Sequence, residues 1–397
     1  MEGILKGIRV LDLGRFISCP FCGMLLADMG AEVIKIERVG VGEDGRRLGP
    51  YKDNVSVYVT AFNRNKKGMT INFRTVEGKK VFEELIKQSD VIIENFRPGT
   101  MAKMGFDYET VKKLNPRIIM ASISGFGQTG KYRDKAAFDG IASAMSGLYM
   151  VNSTTERPKS TGLALGDHIT GVYHTLAIMM ALYDRTQTGE GQYIDTAMLD
   201  CLFSMFETRL ADYVLNDRNI GVIPSDSGYG DPLACPSNLY RCKDGYVCLH
   251  AGTDPNFSRF AQVSKIPQFQ DQTFAKIESR MANYKFVDQL VADWFLNYTA
   301  QEADTMMTEA GIPCGIVNDM SRIVNDSNSL DREMIIYTEV PGIGKVPFVG
   351  NPLKLKTRPI INRERAPMIG EHTDSILAEL LNYSESEIEK LHNAGAV

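Results

Sequence analysis

Over the first 200 residues, short apolar runs alternate with segments of helical periodicity. That alternation restricts the fold more than any other property of the chain. The apolar runs are "IRVLDL" (8–13), "AEVIKIE" (31–37), "MTINF" (69–73), "DVIIEN" (90–95), "RIIMASISGFG" (117–127) and "QYIDTAM" (192–198). Between them lie "CPFCGMLLADMG" (19–30), with Pro near its first turn, "TVEGKKVFEELIKQ" (75–88), and "GDHITGVYHTLAIMMALYDRTQTG" (166–189), closed by Gly. Strands separated by helices imply βαβ units, right-handed crossovers and a parallel sheet. The expected class is therefore α/β, with a Rossmann-like large domain.

After about residue 220 the pattern changes. "IPSDSGYGDPLACPSN" (223–238) has the Gly, Pro and Ser content of a boundary or mobile loop. "LYRCKDGYVCLHA" (239–251) reads as a hairpin around a Lys-Asp-Gly turn. Helical stretches run to about 310, followed by the apolar "GIPCGIV" (311–317) and antiparallel signals in "IIYTEVPGIGKVPFVGNPLKL" (335–355). Near the end, Ser384 and Glu387 have capping-box spacing. The division expected is a large α/β domain over 1–220, a small α+β domain over 225–325, and a C-terminal segment over 330–397.

Composition narrows the function classes. With a formal net charge of −5, the chain has no basic footprint for nucleic acid or an anionic membrane. No run of about 18 apolar residues suits a membrane span. "MEGILKGIRV" lacks a basic stretch followed by an apolar one, so no secretory signal is expected. Seven cysteines, an odd number without framework spacing, fit reduced thiols in a cytoplasm.

"SCPFCG" (18–23) raises dithiol redox chemistry or half a zinc site. No second pair completes a tetrahedral set, so no metal is expected. No later segment supplies the other half of a thioredoxin-like domain, and the bland reading is small side chains packing a tight turn. The strand, helix and second strand ending at Glu37 imitate a dinucleotide fold. Its first turn, "LGRFISCPFCG", lacks the Gly-x-Gly-x-x-Gly that lets backbone approach a pyrophosphate. "SISGFG" does not match the nucleophile elbow of a hydrolase. Of five histidines, His174 lies on an apolar helix and reads as packing, and His372 as a helix start. There remains Asp167 in "LALGDHITG". Position alone reads it as an N-cap or as a carboxylate nucleophile, and pattern by itself favours the cap.

Several segments together resemble the class III coenzyme A transferases (CaiB/BaiF type). They are "GIRVLDLGRF", "GAEVIKIERVGVGEDGR", "NRNKKGMTINFRTVEG", "ENFRPGTMAKMGFDYETVKKLNP", "LALGDHITGVYHTLAIMMALYDRTQTGEGQYIDTAM", "GIPCGIV" and "APMIGEHTDSIL". The resemblance runs in order over nearly the whole chain. It implies that Asp167 is the nucleophile, passing through an aspartyl anhydride and an aspartyl-CoA thioester. It also implies CoA contacts from Arg15, Ile17 and Ser18 at the first turn, and from Arg38 against the adenine. Ile71, Arg74, Asn95, Phe96, Lys103, Met104 and Lys135 complete that set. Gly166, Asp139, and Gly228 with Gly230 of "SGYGD" would face substrate or oxyanion, the last pair as a lid. No tightly bound cofactor is implied; CoA thioesters are substrate and product.

The implied partners are an acyl-CoA, a small carboxylic acid and a second, interlocked copy in a homodimer. The related α-methylacyl-CoA racemases use a His-Asp pair where this chain has Phe138 and Asp139. A phenyl ring cannot transfer a proton, so racemase is the runner-up. A non-catalytic CoA-binding module is the alternative from another class. Cys19, beside the expected CoA thiol, is a candidate for a mixed disulfide under oxidation.

Overall fold

In the computed structural model the described residues are 3–52, 55–151, 158–216, 223–225, 228–231, 233–358, 360 and 364–397. They fall into two compact units. One comprises Met1–Ser146, Gly162–Met205 and Ser327–Val397; the other comprises Gly147–Thr161 and Phe206–Asp326.

The first unit is built on six strands: β1 (Arg9–Asp12), β2 (Glu32–Glu37), β3 (Lys67–Thr70), β4 (Val91–Glu94), β5 (Ile119–Ser124) and β6 (Tyr193–Ala197). They form one sheet in the order β3-β2-β1-β4-β5-β6, and every neighbouring pair is parallel. This is the doubly wound order, in which the winding reverses between β1 and β4. β4 and β5 are buried along their whole length, which is why "VIIE" and "IMASIS" show no alternation of apolar residues with charged, solvent-facing ones.

The helices that position the site are α1 (Ser18–Asp28), α2 (Val57–Phe62), α3 (Val76–Lys87), α4 (Tyr108–Leu114), α5 (Asp139–Ser146) and α6 (Leu165–Thr188). The Thr75 hydroxyl accepts from Gly78 N–H at the start of α3, with Glu77 in the first turn and Lys87 in the last, each charge favourable to the helix dipole. Val81, Phe82, Leu85 and Ile86 of α3 and Val111 of α4 share a core with Leu11, Ile34, Ile36, Met69, Ile92 and Met120 of the sheet. The C-terminal Ile376, Leu377, Ile388 and Leu391 join it. The tail also covers the sheet edge. His372 N–H donates to Gly68 O at 2.8 Å and Thr70 N–H to Thr373 Oγ1 at 3.1 Å, satisfying an edge that would otherwise be open. The expected capping box forms at Ser384 and Glu387.

The second unit holds a three-stranded sheet, Ser237–Arg241, Tyr246–His250 and Cys314–Ile316, antiparallel throughout. Its core includes Tyr240, Val247, Phe257, Phe260 and Phe295. At its centre Arg280 is fully buried, donating to Cys235 O, Phe274 O and Gly252 O.

In the first unit, the face of the six-stranded sheet opposite Leu11 and Ile34 carries a charged cluster. Asp12, Lys35 and Lys66 are all buried, and Asp12 and Lys35 are register partners on β1 and β2. Lys66 Nζ donates to Asp12 Oδ2 at 2.7 Å, Pro20 O at 2.8 Å and Asn63 Oδ1 at 2.8 Å, while Lys35 Nζ donates to Gly14 O. Burial alone would push the Asp12 carboxyl up, but Lys35 and Lys66 outweigh it and hold it below the usual value. Gly23 lets α1 approach: a Cβ there would sit 2.7 Å from Asp12 Oδ2. Asp12→Asn removes the carboxylate shared by two buried ammonium groups, leaving Lys35 only the Glu43 and Glu37 charges, and should cost roughly 3–5 kcal/mol in urea unfolding at pH 7. A loss under about 1 kcal/mol would show that the cluster is not what holds these strands.

Candidate active site

The carboxyl ends of β1 and β4 lie at the point where the winding reverses, and crevices of such sheets open there. Their outgoing turns are tied by one side chain. Asn95 Oδ1 accepts from Arg15 N–H at 2.8 Å, and its Nδ2 donates to Arg15 O at 2.7 Å and to Ser18 Oγ at 3.2 Å. Phe16, in the same turn, has φ of +63°, a conformation that non-glycine residues adopt at a cost. Its N–H donates to Glu43 Oε2 at 3.1 Å, which helps hold it there.

Two cavities meet at this turn. One, of about 610 Å³, is lined by Arg15, Arg38, Ile71, Arg74, Phe96, Lys103 and Met104, with Glu37 and Glu43 as its carboxylates. The other, of about 330 Å³, is lined by Arg15, Ser18, Asn95, Phe96, Lys135, Phe138 and Asp167. Arg15 and Phe96 belong to both, the guanidinium lying 5.1 Å from the ring centre, within cation–π range. Asp44 bridges Arg15 Nη1 at 2.8 Å and Arg38 Nη2 at 2.5 Å, presenting the two planar cations together. Lys135 Nζ lies 5.6 Å from the Tyr132 ring centre.

Asp167 is not the N-cap. The cap of α6 is Ala164, which offers no side-chain bond, and Asp167 is the third helical residue. Its own N–H donates to Asp139 Oδ1 at 3.1 Å. Ser18 donates to its carboxylate through hydroxyl and backbone N–H, at the start of α1, where helix geometry favours negative charge. Gly171 makes the approach possible, since a Cβ there would come within 2.8 Å of Ser18 O. Gly166 is buried, and a Cβ there would lie 2.8 Å from Asp139 Oδ1. Burial, with the Asp139 charge beside it, raises the Asp167 pKa to about 6 against the pull of Ser18 and His168. It is thus mostly ionised at pH 7.

Other candidates take plainer places. Ile17 lines neither cavity and is the N-cap residue of α1. Gly228 and Gly230 belong to the second unit, in a strand paired antiparallel with Ile223–Ser225; Ser227 of the same motif is outside the described residues. Glu37, the acid that imitates a ribose ligand, is engaged by Arg46 at 2.7 and 2.6 Å and by Glu43 N–H. His174 is buried and bonded to Thr196 Oγ1 at 2.8 Å, its pKa pushed down to about 4 by burial. Phe138 packs edge-on against Phe16 at 5.5 Å. Cys19 is fully buried, burial pushing its thiol well up, so an oxidant or a CoA thiol has no thiolate there to meet. All seven cysteines are free, and among the described residues no group of three or more His, Cys, Asp or Glu could hold a metal ion. No helix among them is long and apolar enough to cross a membrane.

Sequence reasoning missed Glu43, Asp44, Tyr58 and Glu94. Tyr58 of α2 is near enough to Asp167 and Glu43 for both charges, after burial, to push its phenol up. The first three come from residues 38–66, where a short 3₁₀ turn, a two-strand hairpin and the short helix α2 offer no periodicity to read.

The model of "CoA-transferase family III" matches residues 5–373. A succinyl-CoA–D-citramalate CoA-transferase from Chloroflexus aurantiacus is 35% identical over 391 residues, 98% of this chain and 96% of the relative. A formyl-CoA:oxalate CoA-transferase from Bradyrhizobium sp. is 34% identical over 418 residues, covering 100% of this chain and 98% of the relative. The crystal structure of a CaiB/BaiF family protein from Brucella suis superposes with a TM-score of 0.83 at 31% identity, over 96% of this chain and all of that one.

Because the Asp139 charge helps to raise Asp167, Asp139→Asn should move the midpoint of Asp167 ionisation to lower pH in a carboxyl ¹³C titration. The amide oxygen can still accept the Asp167 N–H. An unmoved midpoint would assign the rise to burial alone.

Proposed function

Since the chain belongs to CoA-transferase family III, and so is an enzyme of the CoA-transferase type, we propose that it transfers CoA by covalent catalysis at Asp167. The observation that carries the reading is a partly desolvated, ionisable carboxylate facing the same cavity as Arg15, Ser18 and Asn95. In the proposed cycle an Asp167 oxygen attacks the donor thioester carbonyl. The C–S bond breaks, leaving a mixed anhydride and a CoA thiolate. The thiolate attacks the Asp167 carbonyl carbon, expels the donor acid as a carboxylate and leaves an aspartyl-CoA thioester. An acceptor carboxylate then displaces the thiolate to form a new anhydride. The returning thiolate attacks the acceptor's carbonyl, which yields the new acyl-CoA and frees Asp167. A thiolate held in the groove gains effective concentration over a diffusing one. Ser18 N–H and hydroxyl, which pull the Asp167 pKa down, would stabilise oxyanions there.

The larger cavity would take the nucleotide end of CoA. Arg38 offers a planar cation for the adenine, and Arg15, Arg74 and Lys103 supply phosphate partners. The acid is proposed to be a small dicarboxylic acid. The relatives' names carry citramalate, succinyl-CoA and oxalate, and the Asp167 cavity adds Arg97, Arg133 and Lys135 to Arg15. A reducing cytoplasm would keep the seven cysteines free.

A second copy of the chain completes the reading. Val172, Leu176, Met180 and Tyr183 of α6 form an exposed apolar stripe at helical spacing, which a monomer in water would not favour. Sedimentation should give the mass of two chains, and Leu176→Glu with Met180→Glu should give one; a monomeric parent would remove the dimer from the account.

Asp167→Asn should lower CoA transfer by at least about 10³-fold while CoA affinity stays within roughly threefold. A variant that keeps more than about a tenth of the activity would exclude covalent catalysis at this residue. Assayed with acetate and succinate as acceptors, the parent should prefer the dicarboxylate; an equal preference would remove that part of the reading.

A further inference from the structure

Glu94 closes β4 one residue before Asn95 and is buried, with 3% of its surface exposed. Its Oε2 accepts from Phe96 N–H at 2.7 Å. Across the sheet it is paired with Ser122 of β5, whose hydroxyl donates to it. Ser122 Oγ in turn accepts from Tyr193 O–H at 3.1 Å, so the chain of donors runs from β6 through β5 and ends on the Glu94 carboxylate. The groups of changing or fixed charge that face it are Arg15 from the turn after β1, Cys19 from α1, and Tyr193 and Asp195 from β6. The residue it holds, Phe96, is shared by both cavities and lies beneath the Arg15 guanidinium.

We infer that Glu94 is a positioning residue for the thioester groove: its ionised carboxylate clamps Phe96, and through Phe96 the Arg15 guanidinium, and its protonation loosens both. The inference rests on the proposal that this groove takes CoA. Burial raises the Glu94 pKa to about 7, with Asp195 adding to the rise and Ser122, Phe96 N–H and Arg15 opposing it. The sign follows from the acid's own ionisation. Above pH 7 the carboxylate is charged, its bond to Phe96 N–H is charge-assisted, and Arg15 is attracted; below pH 7 both interactions weaken.

The test is calorimetric binding of dephospho-CoA at pH 6 and pH 8. This probe lacks the 3′-phosphate, a group whose own second ionisation near 6 would intrude. The parent should bind at least about threefold more tightly at pH 8 than at pH 6. Glu94→Gln, neutral throughout, should show the weaker affinity at both pH values. Ser122→Ala removes a bond that favours the ionised form and should move the parent's transition to higher pH. A Glu94→Gln variant that keeps the parent's pH dependence, or a parent without any, overturns the role of Glu94 alone. No binding at either pH would overturn the CoA groove itself.

Discussion

Beneath the turn that carries Arg15 and leads to Ser18, the buried Asp12 carboxylate holds two buried lysines, one fixed to the backbone of that turn and the other to the start of α1. Lys35 reaches Gly14 O and Lys66 reaches Pro20 O, so β1, β2, α1 and the entry to β3 meet at one charged point. Charges taken out of water this completely are expensive unless partnered. The arrangement therefore tolerates little movement in the turn. Everything placed at the switch point inherits that rigidity: the Asn95 tie between strand ends, the left-handed Phe16, and the start of α1 that faces Asp167.

The chemistry is set by contrast between neighbours. Asp12 is held below its ordinary pKa by two cations, whereas Asp167 and Glu94 are raised above theirs because burial and adjacent carboxylates outweigh their donors. A carboxylate near pH 6 is ionised in a neutral solution yet poorly solvated, which is the state a weak nucleophile needs. The local donors are few and fixed, Ser18 for Asp167 and Phe96 N–H with Ser122 for Glu94, so each carboxylate answers to one or two named groups.

Much of the fold was legible in the sequence. Five of the six sheet strands lie within the expected apolar runs with their ends trimmed, whereas β3 (Lys67–Thr70) begins before "MTINF" and shares only Met69 and Thr70 with it; α3 and α6 match their periodic segments. The strand order was not legible, since periodicity says nothing about which strand lies beside which. At the site, the residues implied by family resemblance gather around two adjoining cavities, except Ile17 at the α1 cap, Asp139 and Gly166 behind Asp167, and the two glycines of the second unit. Asp44, Glu43 and Tyr58 escaped because they come from short, aperiodic pieces, where function depends on contacts across the chain and not on local pattern. Glu94 was hidden for the opposite reason: inside "DVIIEN" it reads as the polar end of a strand, and only its cross-strand partner Ser122 gives it a role. The N-cap reading of Asp167 fails because the helix begins earlier than the pattern suggests: Ala164 is the cap and Asp167 lies three residues beyond it.

The central claim is that Asp167 becomes covalently acylated during turnover. Incubation with an acyl-CoA donor, trapping by hydroxylamine and peptide mass spectrometry measures this directly. The account predicts a hydroxamate mapped to Asp167, absent without donor and absent in Asp167→Asn. Turnover of CoA between acids with Asp167 unmodified under the same trapping would contradict it.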